Sequence, residues 1–148
     1  MKVFVDGDGC PVVRLCETIC KDHNVPFSVY CDTAHAINLQ YGDVVIVDSG
    51  ADMVDFAIMG SIQRGDVLIT QDYALAAMAL GKGCVCLNQD GREYTDQNID
   101  FLLLSRHENK KLRRAGGRTK GPKKRTESQD KSFADALNKI LTNKKGDA

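Results

Sequence analysis

The fold is decided by one stretch near the start of the chain, Lys2-Val3-Phe4-Val5-Asp6-Gly7-Asp8-Gly9-Cys10-Pro11. Its β-branched and aromatic residues predict a buried first strand over Lys2–Asp6. Two aspartates separated by glycine follow at the strand end, and Pro11 suits the first turn of a helix. The stretch therefore indicates a strand–turn–helix unit that carries carboxylates at the carboxyl end of its strand.

The rest of the chain alternates predicted strands and helices. Apolar runs predict further strands over Pro26–Tyr30, Asp43–Asp48, Val67–Thr70 and Cys84–Leu87. Helical spacing predicts helices over Val12–Asp22, Ala51–Gln63, Tyr73–Leu80, Gln97–Arg114 and from Lys131 to about residue 142. The Val and Ile run in Asp43–Asp48 is typical of a strand buried on both faces. The alternation predicts an α/β fold, three-layered and doubly wound, with a mainly parallel sheet of about five strands.

Length and charge predict one unit with two differently charged parts. A chain of 148 residues, with 43% hydrophobic and 27% charged residues, is typical of a soluble one-domain protein. Residues 1–105 hold 6 Lys and Arg against 15 Asp and Glu, a net charge of −9, whereas residues 106–148 hold 14 against 5, a net charge of +9. We therefore expect an acidic α/β domain over residues 1–105. A basic C-terminal extension of the same unit follows over residues 106–148, with a flexible loop at 115–128 and a helix at 131–142.

The cysteines and the apolar runs predict the compartment. Among the six cysteines there is no C-x-x-C pair, which does not favour structural zinc, and the pairs Cys16/Cys20 and Cys84/Cys86 fit small core residues. The start of the sequence does not resemble an export signal, and no apolar run reaches the roughly 18 residues of a membrane span. We therefore expect a reducing, cytoplasmic location and no membrane partner.

Carboxylates recur where strands end and the following helices begin. The candidate residues are Asp6, Asp8, Asp48, Asp52, Asp55 and Asp72. Because ligands of open α/β sheets bind beyond the carboxyl ends of the strands, we expect these acids to form one cluster. Hard oxygen ligands without His or Cys favour Mg²⁺ or Mn²⁺, and we predict Asp6, Asp8, Asp52, Asp55 and Asp72 as the ligands. Two such ions can clamp the attacking water and the leaving oxygen of a phosphodiester, and we predict Asp6, Asp52 and Asp72 as the catalytic residues.

A structural interpretation competes at several of these positions. Aspartates often cap helix starts, and capping alone would account for Asp52 or Asp96. Asp6 is the strongest metal candidate, because a carboxylate at the end of a buried strand has no helix amide to cap. Thr70, beside Asp72, is either an ordinary strand threonine or a residue that positions a water or a phosphate oxygen.

The C-terminal part contains a dense run of positive charge. The predicted nucleic-acid-binding residues are Arg106, Lys110, Lys111, Arg113, Arg114, Arg118, Lys120, Lys123, Lys124 and Arg125, with Glu108 as the one acid among them. Such a run neutralises several phosphates in a salt-dependent way and reads no base sequence. The alternative is a segment that lies on the acidic domain and neutralises it. Arg113 and Arg114 are also candidates for stabilising transition-state charge.

Four motifs together resemble one family. They are Asp6-Gly7-Asp8-Gly9-Cys10-Pro11-Val12, Gly50-Ala51-Asp52-Met53-Val54-Asp55, Thr70-Gln71-Asp72-Tyr73-Ala74-Leu75-Ala76 and Arg113-Arg114-Ala115-Gly116-Gly117-Arg118-Thr119-Lys120-Gly121-Pro122. They closely resemble the bacterial YaiI/YqxD family over essentially the whole chain. The domain of that family looks like the PIN and NYN nucleases, which are three-layer α/β folds with acidic metal sites that cut RNA or flap-like DNA.

The resemblance implies roles for individual residues. Asp6 matches the first-strand aspartate of those nucleases, Gly50-Ala51-Asp52 is similar to the Gly-x-Asp that opens their central helix, and Asp72 falls where they carry later aspartates. PIN-type sites usually add one more acid after that strand, and Tyr73 and Ala74 supply none. Asp8 or Asp55 takes that place, or the site binds a single ion.

Three functions remain in competition. The first is a metal-dependent nuclease acting on RNA or another nucleic acid. The second is a non-catalytic RNA- or ribosome-associated protein. The third is a haloacid-dehalogenase-like phosphatase, suggested by Asp6-x-Asp8 and Thr70, although Cys10 replaces the usual Thr or Val and the later Lys motif of that class is missing. The sequence does not indicate an oligomeric state.

Overall fold

A computed structural model describes residues 1–32, 37–114 and 124–146, with side chains described for residues 1–32, 37–106 and 124–143. The strands are β1 (Val3–Asp6), β2 (Phe27–Asp32), β3 (Asp43–Val47), β4 (Val67–Ile69), β5 (Val85–Leu87) and β6 (Glu93–Tyr94). The helices are α1 (Val13–Asp22), α2 (Met53–Ser61), α3 (Tyr73–Gly81), α4 (Asp96–Arg114) and α5 (Glu127–Gly146). The five predicted strands and five predicted helices are all present, with boundaries that differ by a few residues.

The strands form one sheet in the order β3-β2-β1-β4-β5-β6. All neighbours pair in parallel except the short β6, which is antiparallel to β5 and was not predicted. The strand order reverses between β1 and β4, so the carboxyl ends of these two strands flank a crevice where ligands of such sheets bind. The prediction of a doubly wound, mainly parallel α/β fold is confirmed.

Helices cover both faces of the sheet. Because successive strand residues point to opposite faces, Val3 and Val5 pack on one side of β1 and Phe4 on the other. The first side is covered by α1 and α5, and Phe133 and Leu137 of α5 are fully buried in this core. The second side is covered by α2, α3 and α4. The C-terminal helix therefore belongs to the core of the domain.

Two local expectations are wrong. The Asp43–Asp48 segment was expected to be buried on both faces, but β3 is an edge strand in which Ile46 is 59% exposed. The C-terminal helix begins at Glu127, so it takes up the end of the loop predicted for residues 115–128. Residues 115–123 of that loop lie outside the described residues.

The cysteines lie in the packed interior of the domain. Five of the six are buried, Cys10 is partly exposed, and all six are free thiols. Cys16 and Cys20 lie on the buried face of α1, and Cys84 and Cys86 pack in the core on the side of α3, as small core residues do. Across the described part of the chain, none of the helices combines the length and the apolar character that crossing a membrane requires.

Candidate functional site

An acidic cleft lies at the carboxyl edge of the sheet, next to the switch point. Its volume is about 260 Å³, and its charged lining comes from the ends of β1 and β2 and from the starts of α2 and α3. The carboxylates in this lining are Asp6, Asp8, Asp32, Asp52, Asp55 and Asp72. The structure therefore brings together all five of the predicted metal ligands and adds Asp32.

Thr70 joins the carboxyl ends of β1 and β4 beside the cleft. It is 2% exposed, and its Oγ1 donates to Asp6 Oδ2 at 2.8 Å and accepts from the Asp72 backbone N–H at 3.0 Å. The buried Tyr94 hydroxyl donates to the Thr70 carbonyl at 3.0 Å, which fixes the backbone at this point. The hydroxyl of Thr70 thus holds a site carboxylate and the start of α3 together.

Two carboxyl groups of the cleft have raised pKa values. Burial raises the pKa of Asp6 from 3.8 to about 6; the Thr70 hydrogen bond lowers it, and the charges of Asp55, Asp72 and Asp8 add to the rise. Burial also raises the pKa of Asp55, and the neighbouring charges of Asp72 and Asp52 raise it further, with Arg106 opposing them. The cleft therefore holds negative charges that repel one another, which is the condition that a bound cation relieves.

Capping occurs at Asp72 and not at Asp52. The Asp72 side chain accepts from the backbone N–H groups of Ala74 at 2.9 Å and Leu75 at 3.3 Å, so it caps α3. Asp52 occupies the same position before α2, but its side chain makes no capping hydrogen bond. Its backbone is left-handed, with φ of 64°, a conformation that Asp tolerates better than most residues. The capping interpretation therefore does not explain why Asp52 lies in the cleft.

Asp32 is the site residue that the sequence analysis missed, and Asp48 is the candidate that the structure leaves out. The Asp32 backbone N–H donates to Asp8 Oδ1 at 3.3 Å, and both side chains line the cleft. Asp32 ends an apolar run in the same way as Asp6 does, and this signal was lost because the second strand was predicted to end at Tyr30. Asp48 is exposed and is not among the residues that line the cleft.

The donor chemistry of the cleft fits a hard divalent cation, because its charged lining consists of carboxylates. Within the described residues, however, no three or more His, Cys, Asp and Glu side chains stand in an arrangement that could hold a metal ion. Asp6 and Asp72 are held by the hydrogen bonds given above, whereas Asp52 is exposed. Binding of an ion in the cleft thus requires the carboxylates to move closer together than they are in this structure, and Asp52 is the one placed to move toward Asp6.

A second cavity, of about 440 Å³, shares a wall with the acidic cleft. It is lined by Asp6, Asp8, Gln71, Asp72, Tyr73 and Arg106. Arg106 reaches this cavity from α4, and its Nη1 lies 3.5 Å from Asp72 Oδ1. The Gln71 amide donates to the Gly9 carbonyl at 3.0 Å, which joins the loops after β4 and β1.

The residues of the predicted basic segment fall into four groups. Arg106 and Lys124 are exposed, and Arg106 is at the cavity. Arg125 is instead bound within the domain: Nη1 lies 2.9 Å from Asp90 and Nε 2.6 Å from Asp130, and a further N–H donates to the Gln89 carbonyl. These contacts give Arg125 a structural role, and its contact with nucleic acid stays a prediction. Lys110, Lys111, Arg113 and Arg114 belong to α4 by their backbone, their side chains lie outside the described set, and Arg118, Lys120 and Lys123 lie outside the described residues altogether.

Comparison with known proteins agrees with the resemblance of the four motifs. A family profile described as "Uncharacterized BCR, YaiI/YqxD family" matches residues 4–143. The chain is 46% identical to a UPF0178 protein of Clostridium acetobutylicum, over 95% of this chain and 97% of that one. It is also 46% identical to a UPF0178 protein of Exiguobacterium sibiricum, over 97% and 99% of the two chains. No solved structure matches the chain. With a profile match over nearly its whole length and relatives of this similarity, the chain belongs to the YaiI/YqxD family.

Proposed function

We propose that this protein is a phosphodiesterase that cuts nucleic acid, preferably RNA, with Mg²⁺ or Mn²⁺ as its cofactor. The observation that carries the proposal is the convergence of six carboxylates from four chain segments on one cleft at the switch point of the sheet. Three of these segments contain the motifs that resemble the PIN and NYN nucleases. Capping explains Asp72 but not Asp52 or Asp6, so the convergence exceeds what helix starts require.

In this proposal each residue of the cleft has a distinct role in binding the cation or the phosphate. Asp6 is the fixed carboxylate, because Thr70 holds it from the buried side. Asp52, whose side chain makes no capping hydrogen bond, turns toward Asp6, and Asp55 and Asp8 complete the oxygen ligand set. A divalent cation in this set supplies Lewis-acid activation of a phosphodiester and lowers the pKa of a water. Arg106, at the rim, offers a guanidinium to a phosphate oxygen and offsets part of the repulsion between an RNA backbone and the acids.

The test is cleavage of labelled single-stranded RNA by the full chain in Mn²⁺, in Mg²⁺ and in EDTA. We expect cation-dependent cleavage that falls by roughly 10² or more in Asp6→Asn, since the variant removes the charge at the deepest ligand. Asp48→Asn is the matched control, because it removes an equivalent charge outside the cleft, and it should cleave like the native chain. Unchanged RNA in every cation, or undiminished cleavage by Asp6→Asn, contradicts the proposal.

A second candidate, a non-catalytic RNA-binding protein, is favoured by the structural use of two of the acids. Asp72 caps α3 and Asp6 accepts from Thr70, contacts that serve the fold without any chemistry. RNA binding that survives alanine substitution of Asp6, Asp52 and Asp72, without turnover by the native chain, would support this candidate.

A further inference from the structure

The second cavity has a different chemistry from the acidic cleft that it adjoins. Its wall away from the shared acids consists of a guanidinium, an amide and a phenol, contributed by Arg106, Gln71 and Tyr73. Its volume of about 440 Å³ is within the range of roughly 300–1,000 Å³ that small-molecule sites span. This wall combines a phosphate-binding group with an aromatic one, the two kinds of contact that a nucleotide requires.

Arg106 is placed so that it can exchange its partner. The contact with Asp72 is long, at 3.5 Å, and the Arg106 side chain is 56% exposed, so the pair is weakly held. The Asp72 carboxylate keeps its two backbone hydrogen bonds if Arg106 leaves. A phosphate oxygen in the cavity can therefore take the guanidinium at little cost to the fold.

Tyr73 lines the same cavity and is held in place by the core. Its ring packs against the buried Tyr94 in an edge-to-face arrangement, with centroids 5.9 Å apart, and it remains partly exposed. A ring fixed in this way contacts a base without losing much conformational freedom of its own. The base must be unpaired to reach it, because bases in a duplex remain stacked on their neighbours.

From this arrangement we propose that Arg106 and Tyr73 form a subsite for one nucleotide of a single-stranded nucleic acid, next to the position of the scissile phosphate. The inference rests on the proposed function for the choice of ligand, and it specifies that ligand as unpaired. Arg106 binds a phosphate of the strand, and Tyr73 contacts the base of the nucleotide that leads into the acidic cleft.

The test is a binding measurement that does not depend on turnover. The fluorescence anisotropy of a labelled single-stranded RNA is measured with the full chain in Ca²⁺ and, separately, in EDTA. We expect Arg106→Ala to weaken binding on the order of tenfold, the factor that a charge-assisted hydrogen bond supplies. Tyr73→Leu should weaken binding by about fivefold or more, as loss of an aromatic contact to a base does, while Tyr73→Phe should bind like the native chain.

Arg64→Ala is the matched control for charge. Arg64 is exposed in the turn between α2 and β4, at the opposite edge of the sheet, so its loss should leave the affinity unchanged apart from general charge effects. A duplex of the same sequence should bind more weakly than the single strand and should not distinguish Tyr73→Leu from the native chain. Thermal unfolding of each variant confirms that it is folded.

The outcomes separate this inference from the proposed function. Tyr73→Leu and Arg106→Ala binding RNA as tightly as the native chain would overturn the subsite, as would equal affinity for duplex and single strand. A third outcome is that the native chain binds RNA but does not cleave it in Mn²⁺ or Mg²⁺, while Arg106→Ala and Tyr73→Leu bind it more weakly by the expected factors. This outcome would support the subsite and overturn the nuclease proposal.

Discussion

Replacing Asp6 with Asn should stabilise the protein at neutral pH. In the folded chain, burial and the neighbouring carboxylates raise the pKa of Asp6 from 3.8 to about 6, so the ionised form costs free energy on folding. At about 1.4 kcal/mol per pH unit, this difference corresponds to about 3 kcal/mol when the group is ionised in both states. Asn has nearly the same shape and can still accept the Thr70 hydrogen bond, but it carries no charge.

The stability that Asp6→Asn gains over the native chain should decrease as the pH falls. A carboxyl with a raised pKa takes up its proton in the folded state first, so its cost disappears as the pH falls through about 6 toward 3.8. We therefore expect Asp6→Asn to exceed the native chain in unfolding free energy by about 3 kcal/mol at pH 7.5 and by about 1 kcal/mol at pH 4.5. The native chain itself should gain stability from Asp6 as the pH is lowered across this interval.

Urea unfolding followed by circular dichroism is the suitable assay, because the chain contains no tryptophan. Both chains are compared in EDTA at pH 4.5, 6 and 7.5, with Asp48→Asn as a control that should change by less than about 0.5 kcal/mol at an exposed site. If Asp6→Asn is no more stable than the native chain at pH 7.5, or if its gain is the same at pH 4.5, then burial and the neighbouring carboxylates do not raise the pKa of Asp6 in the folded chain.

Three further changes test other parts of the structure. Arg125→Ala should lower the unfolding free energy by about 1–3 kcal/mol, because it leaves two carboxylates and a carbonyl without their partner; an unchanged urea midpoint would contradict this. Leu137→Ala should cost about 3 kcal/mol, since Leu137 is fully buried under the sheet, and a loss below 1 kcal/mol would show that α5 is not part of the core. Gly42→Ala should lower the melting temperature, because φ is +89° and a Cβ would lie 2.6 Å from the Phe27 carbonyl oxygen; an unchanged melting temperature would argue against this turn.

The sequence predicts the elements well because their signals are local. An apolar run such as Val67–Ile69 between polar residues has few conformations other than a strand, and the helical spacing after Pro11 leaves little choice for α1. Strand order is not a local property. The run at Asp43–Asp48 is typical of a strand buried on both faces, but it forms the edge strand, pairs along one side only and exposes Ile46.

The difference between local signals and long-range arrangement also explains which site residues the sequence predicted. The rule that strand ends meet at one edge found Asp6 and Asp72. It also selected Asp48, which follows the edge strand outside the cleft, and it missed Asp32, because the second strand was predicted to end two residues too early. Charge density likewise suggested a nucleic-acid role for Arg125. Its partner Asp90 lies 35 residues earlier in the chain, a distance over which composition carries no information.

The central position of β1 also sets the order in which the cleft can assemble during folding. The strands β1, β2 and β3 follow one another in the chain, with α1 between the first two, so their contacts are comparatively local. Asp6, in contrast, meets Thr70 across 64 residues when β4 docks. The crowding of charge between Asp6 and Asp72 is consequently absent from the early half of the sheet and arises when the second half joins it. The acidic residues of the cleft thus oppose the docking of β4 during folding, and cations in the surroundings, by screening these charges, would speed that step.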